Sequence, residues 1–173
     1  GHRGMVGRAI WNRLEESGYG NLSGTSSTEL DLKNQELVND FMATTRPDIV
    51  VLAAKKVEGI LDNEQHPYSV LYENLTMQSN LIEASRMNKV RQLIFIANPS
   101  IYPARCPLPM REECLTDGAL DTTHQWYGQA KLAGLKLCEA IRRQYRYNYT
   151  TLIPCNLYGP YDRFEHAFRI VPA

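Results

Sequence analysis

The chain has 173 residues, 43% of them apolar, and 19 Lys and Arg balance 19 Asp and Glu. At roughly 150 residues per domain this is one domain, large enough to bury a core without disulfides. The zero net charge argues against a protein built to grip nucleic acid or an anionic membrane, and no run approaches the roughly 20 apolar residues of a membrane span.

The chain opens on Gly1 rather than Met, already inside a glycine-rich motif, and shows no signal-peptide pattern. Met5, Val6, Ala9, Ile10 and Leu14 fall on one face and predict a helix over Met5 to Ser17. Gly18, Gly20 and Gly24 break the chain, and a short strand is expected near Asn21 to Ser26. Asn34 to Thr45 reads as a second helix with Leu37, Val38, Phe41 and Met42 inward, ended by Pro47. The β-branched run Asp48 to Ala54 suits a strand buried on both faces. Pro67 to Met87 is a long helix, and Gln92 to Ala97 is the next buried strand. Pro99, Pro103, Pro107 and Pro109 mark a loop, either a rigid wall beside a site or simple punctuation. Thr123 to Arg143 is helical, and a strand follows at Tyr149 to Ile153.

Short apolar strands alternating with amphipathic helices predict an α/β fold, a doubly wound parallel sheet with helices on both faces. Ligands of such sheets bind beyond the carboxyl ends of the strands. Gly1, Gly4 and Gly7 form a G-x-x-G-x-x-G loop running into a helix. Such a loop lets backbone approach a pyrophosphate, and the helix N-terminus adds N–H groups and the positive dipole end. Arg3 inside the loop is either a partner for an extra phosphate, as on NADP, or an ordinary surface residue. Tyr127 and Lys131, four apart on the last helix, share a face. A Lys cation beside a phenol is expected to lower the phenol pKa, which suits Tyr127 to donate a proton to a carbonyl oxygen.

Cys106, Cys114, Cys138 and Cys155 show no C-x-x-C spacing, and the four His are scattered, so no metal site is expected. Dispersed thiols of this kind read as reduced cysteines of a cytoplasmic protein. Arg142 to Tyr149 (RRQYRYNY) mixes basic and aromatic residues, yet reads as a helix C-terminus, where cations suit the dipole. No nucleic-acid partner and no membrane are expected.

The segments GHRGMVG, LAAKKVEGI, YENLTMQSNLIEAS, IYP, YGQAKLAGLKLCE and NLYGPYDRF resemble those of the extended short-chain dehydrogenase/reductases, and within them the GDP-L-fucose synthase family. The resemblance covers the whole chain. It implies an NAD(P)-binding Rossmann fold and an oxidoreductase/isomerase using NADP(H). The family's reaction converts GDP-4-keto-6-deoxy-D-mannose to GDP-L-fucose, by epimerising carbons three and five and then reducing the keto group. By resemblance, Gly1, His2, Arg3, Gly4, Met5, Val6 and Gly7 hold the pyrophosphate end of the cofactor. Asp31 and Leu32 lie by the adenine. Leu52, Ala53 and Ala54 line the nicotinamide ribose, with Ile96, Ala97 and Asn98 also on the cofactor side. Pro154, Asn156 and Leu157 pass the carboxamide. Tyr127 protonates the substrate oxygen while Lys131 holds the ribose.

The sequence departs from the family's pattern at the site. Asn98 stands where the family has a catalytic Ser, and Ser100 where it has a Cys that exchanges protons during epimerisation. Arg169 replaces a His, with His166 nearby, and Ser27 aligns with an Arg for the 2′-phosphate. Glu58 adds a charge where the family tends to have Gly. A serine hydroxyl is a far weaker acid than a thiol, so reduction is expected to survive better than epimerisation. The alternatives are a non-catalytic or altered-specificity homologue that binds a dinucleotide or nucleotide sugar, and an imperfect sequence. Asn74 on the long helix either fixes nearby backbone or supports the catalytic loop. Residues 1 to 173 are expected to be a dinucleotide-binding domain truncated at both ends. The first strand of the sheet would precede Gly1, and most of a substrate domain would follow Ala173. A homodimer through the long helices is implied as well.

Overall fold

The computed structural model describes residues 1–56 and 60–162. Its helices are α1 (Met5–Glu16), α2 (Gln35–Thr45), α3 (Ile60–Gln65), α4 (Pro67–Met87) and α5 (Gln125–Tyr145). Its strands are β1 (Ile49–Leu52), β2 (Gln92–Ile96) and β3 (Asn148–Leu152). Two short 3₁₀ turns, Pro99–Ile101 and Glu112–Thr116, lie between β2 and α5.

The strands are parallel in the order β1-β2-β3, each joined to the next by a helical crossover. Leu52 pairs with Phe95 and Phe95 with Thr151. All three strands therefore end at one edge of the sheet. This is the parallel α/β architecture that the alternation of signals predicts.

Helix boundaries have local causes. Asn34 caps α2, its side-chain oxygen accepting from the Leu37 N–H at 3.1 Å. Arg46 ends that helix in the left-handed region, just before Pro47. Pro67 opens α4 at its first position, where a missing N–H costs nothing. Arg142 and Arg143 lie in the last turn of α5, so the basic-aromatic stretch is a helix end leading into β3.

The core lies between the sheet and the layer formed by α4 and α5. Val50, Leu52, Leu93, Phe95 and Tyr149 project from one face of the sheet into it, meeting Leu81, Ile82, Leu135, Cys138 and Ile141. Val38 and Met42 of α2 join the same cluster.

Three expectations need correction, and one helix adds to them. The strands alternate rather than burying both faces: Val51, Ile94 and Ile96 on the other face are only half-buried. Leu37 is 45% exposed. It lies one helical step off the Val38 and Met42 stripe, so it turns outward. Residues 21–26 form no strand; none of the described strands runs beside them, and a strand needs a partner for its backbone groups. Helix α3 had no counterpart in the sequence reading, because six residues hold too few turns to show a period.

Candidate functional site

The carboxyl edge of the sheet brings together three short segments. They are Ala53–Ala54 after β1, Ala97–Asn98 after β2, and Ile153–Pro154 after β3. The Ala97 N–H donates to the Leu152 carbonyl at 2.8 Å, which carries the pairing to the last residue before the site.

The glycine loop packs against this edge. A Cβ on Gly1 would strike the Ala53 carbonyl carbon and come within 2.5 Å of the Ala54 nitrogen. A Cβ on Gly7 would strike the Gly1 carbonyl oxygen and stand 2.8 Å from the His2 Cα. Only residues without a side chain allow the loop this close to both the strand end and its own helix. Gly4 caps α1 in extended conformation with no side-chain hydrogen bond, and its N–H donates to the Gly1 carbonyl at 3.1 Å. Met5 and Val6 begin the first turn. The early N–H groups of α1 have no side-chain cap and no partner inside the helix, an arrangement that suits an anion.

Beside the loop runs a cleft of about 280 Å³ lined by His2, Arg3, Arg8, Trp11, Asn12 and Glu15. The rings of His2 and Trp11 stand 5.5 Å apart. The sequence reading left Arg3 alone to meet an extra phosphate. The structure puts a second guanidinium, Arg8, on the same cleft. Ser27 is exposed in the turn after Ser26. Asp31 accepts from the Lys33 N–H at 3.0 Å, and the Leu32 carbonyl accepts from the Asn80 amide at 2.9 Å. The segment of Leu32 and Lys33 is therefore pinned to α4. Leu52 is buried in the core, so only its backbone reaches the edge. Asn156 and Leu157 are exposed beyond Pro154. Arg169, His166 and Glu58 lie outside the described residues.

Tyr127 and Lys131 occupy the first two turns of α5. Both are buried, at 7% and 2% exposure. The Lys131 ammonium donates to the Ile96 carbonyl at 3.1 Å and lies 4.7 Å from the centre of the Phe95 ring and 5.6 Å from that of Tyr127. Burial pushes the Tyr127 phenol above its ordinary pKa. Burial, with the like charge of Lys55, pulls Lys131 down to about 7. The expected lowering of the phenol pKa is therefore not found. Both partners are desolvated, and burial weakens the lysine's hold on the proton that was to supply the field.

Asn98 and Ser100 come together in the turn after β2. The Ser100 hydroxyl donates to the Asn98 side-chain oxygen at 2.6 Å. That bond fixes the amide so that its NH₂ is the side offered as donor. The turn packs against the head of α5, where a Cβ on Gly128 would strike the Ser100 carbonyl oxygen. Gly128 is thus the residue that lets the turn approach Tyr127.

Asn74 clamps Lys56 in both directions. It accepts from the Lys56 N–H at 3.0 Å and donates to the Lys56 carbonyl at 2.7 Å. Fixing backbone and supporting the loop after β1 are here the same act. The sequence reading missed Asn63 and Gln78. Asn63 accepts from the Tyr127 N–H at 3.2 Å, and Gln78 donates to the Ala130 carbonyl at 2.5 Å. Asn63 belongs to no motif, and Gln78, within the YENLTMQSNLIEAS segment, is signalled by a buried amide on a helix face. The loop after Tyr102 is closed by a bridge between Pro103 and Leu120, which favours the rigid-wall reading. Among the described residues no three His, Cys, Asp or Glu side chains gather to hold a metal, and no helix is long and apolar enough to cross a membrane.

A model of the NAD dependent epimerase/dehydratase family matches residues 1–172. The GDP-L-fucose synthase of Escherichia coli K12 is 43% identical over 174 residues, covering 100% of this chain and 54% of that protein. A GDP-D-glycero-L-gluco-heptose synthase from Campylobacter jejuni, crystallised in the presence of NADPH, superposes with a TM-score of 0.91 at 36% identity; the match covers 95% of this chain and 48% of that one. MlghC, a GDP-mannoheptose C4 reductase from Campylobacter jejuni with NADP bound, gives 0.87 at 36% identity, over 91% of this chain and 50% of that one. The chain spans about half the length of the curated relatives it matches.

Proposed function

The chain belongs to the NAD dependent epimerase/dehydratase family, and from that premise we propose that it works as an NADP-dependent epimerase/reductase. Its substrate is a GDP-4-keto-6-deoxy sugar, converted from the D-manno form to GDP-L-fucose. One observation carries the reading: the buried Tyr127 and Lys131 pair stands at the carboxyl edge of a parallel sheet, the same edge against which the glycine loop packs so closely that Gly1 has no room for a Cβ. The relatives named above support the GDP-sugar and the cofactor. On this reading residues 1–173 serve as the dinucleotide-binding part, in the cytoplasm.

The residues present fit a dinucleotide, since Gly1 and Gly7 let the loop turn tightly between the strand end and α1, whose first N–H groups have no partner inside the helix. The loop from Gly1 to Gly7 would hold its pyrophosphate, Arg3 and Arg8 an added phosphate, and Lys131 its ribose. The reduced nicotinamide supplies the hydride. Tyr127 delivers the proton: burial keeps its phenol protonated through the neutral range, so it meets the keto oxygen as an acid. Asn98, oriented by Ser100, offers an N–H to the same developing oxyanion. Incubation with NADPH and the 4-keto sugar tests the reading. Loss of nicotinamide absorbance is the expected result; a protein that binds NADPH without oxidising it would overturn the reading in favour of a non-catalytic or altered-specificity homologue.

Epimerisation needs a group that takes and returns a proton at carbon. The Ser100 hydroxyl is committed to Asn98 and is a poor acid. Solvent deuterium is therefore expected to enter the sugar slowly. Ser100→Cys should raise that incorporation roughly tenfold or more, the scale of one proton-transfer group, with NADPH affinity unchanged. Equal incorporation in both proteins, measured by mass spectrometry, would show that another group carries the proton.

The reading includes a homodimer through the long helices. Tyr68 and Tyr72 support it: they are 74% and 51% exposed on α4, with their rings stacked at 5.4 Å. A stacked, exposed aromatic pair is costly to leave in water and suits an interface. Tyr72→Arg is expected to turn a dimer into a monomer in light scattering, whereas a wild-type monomer would remove the dimer from the reading.

A further inference from the structure

A helix leaves its first N–H groups without partners inside the helix. In α5 the residue before the helix, His124, makes no side-chain cap, and the first internal bond runs from the Gly128 N–H to the His124 carbonyl at 2.8 Å. The Tyr127 N–H precedes that bond. It is also buried, so water is excluded as its partner. Its acceptor is the side-chain oxygen of Asn63, a residue of α3 that is itself only 2% exposed, at 3.2 Å. The helix is thus capped from outside, by an amide 64 residues earlier in the chain.

The same turn is gripped from a second direction, where Gly128 lets the Ser100 carbonyl come into contact. Lys131, one turn further along, has an anchor of its own in the Ile96 carbonyl. Tyr127 and Lys131 are therefore held by separate devices, although they share one helix face.

We infer that Asn63 is a positioning residue for the reaction: its side-chain oxygen, capping α5 at Tyr127, sets where the phenol sits against the substrate oxygen. The inference rests on the reading of Tyr127 as the proton donor. A frayed first turn displaces the phenol by a fraction of a helical turn, and misplacement near 1 Å is enough to cost about a hundredfold in rate. The dinucleotide contacts at the glycine loop and Lys131 do not depend on this bond.

The test uses the intact protein with Asn63→Leu, which keeps the volume and removes the acceptor, and Asn63→Asp, which keeps an acceptor. Asn63→Leu is expected to lower kcat by roughly ten- to a hundredfold with the Kd for NADPH unchanged. In the same variant hydrogen exchange at the Tyr127 amide should speed up about tenfold or more, while the Ala130 and Gly134 amides deeper in α5 stay protected. Asn63→Asp should restore both readouts to near the wild-type values. Equal damage from Leu and Asp, or a Tyr127 amide indifferent to both, overturns the inference. Should Asn63→Leu fail to fold, Asn63→Ala, which also removes the acceptor, takes its place in the same comparison. If the wild-type protein does not oxidise NADPH, the functional reading has failed, and amide exchange at Tyr127 still decides whether Asn63 holds it.

Discussion

Tyr127→Phe is expected to slow keto-sugar reduction by roughly 10²- to 10⁴-fold, the range of a positioned general acid. The substitution removes one oxygen and keeps the ring that packs at the head of α5. The ring also stays 5.6 Å from the Lys131 ammonium, so the ribose-holding role proposed for that lysine is left in place. NADPH affinity should therefore hold within about twofold, far less than the tenfold that about 1.4 kcal/mol would bring. Single-turnover rates with equilibrium binding separate the two quantities. A Phe variant that reduces the sugar at the wild-type rate would remove Tyr127 from the chemistry and leave water or another residue as the donor.

Lys131→Met is expected to stabilise the ligand-free protein while abolishing its turnover. The lysine is desolvated, and its folded pKa lies near 7, against an ordinary value of 10.5. The sign follows from proton counting. Below pH 7 the lysine is charged in both the folded and unfolded states, and folding bears the whole cost of burying the cation. Between about 7 and 10.5 the unfolded chain keeps the proton and the folded protein does not, so stability rises with pH. Above that window the penalty is gone. At about 1.4 kcal/mol per pKa unit the penalty has a ceiling of about 5 kcal/mol. Losing the bond to the Ile96 carbonyl gives back about 1 kcal/mol or more. A net gain of about 2–4 kcal/mol is expected at and below neutrality, shrinking as the pH climbs. Urea unfolding from about pH 6 to about pH 9 should show a wild-type midpoint that rises relative to a flatter variant. Parallel curves would mean that Lys131 keeps its charge in the fold.

Much of this architecture was legible because long periodic segments leave little ambiguity. Pro67 and the apolar stripe behind it mark α4 to the residue, and the β-branched runs mark β1 and β2. The short and the non-periodic escaped. Helix α3 is six residues long and carries no repeat, so Asn63 had no element to belong to. Arg8 lies one residue past the glycine motif, and only the turn of α1 brings it beside Arg3. The raised pKa of Tyr127 escapes the sequence for a different reason. Spacing places a lysine near a phenol, but how dry the pair is depends on the packing of α5 against Phe95, which no local pattern records. Asn98 and Ser100 were seen as two separate departures from a family pattern. Their hydrogen bond makes them one unit, and that is a property of the turn rather than of either residue.

The register of the sheet has a bearing on how the site comes into being. Ile49 pairs with Gln92, and Gln92 with Asn148, so each rung of the ladder closes a loop of roughly forty to sixty residues. Pairings this distant in sequence are late events on a folding route, because their entropy must be spent before the sheet repays it. Helices α4 and α5 can begin locally, yet Tyr127 and Lys131 gain their surroundings only when β2 lies between its two neighbours. The carboxyl edge formed by Ala53, Ala97 and Pro154 is therefore complete only when β3 has docked beside β2.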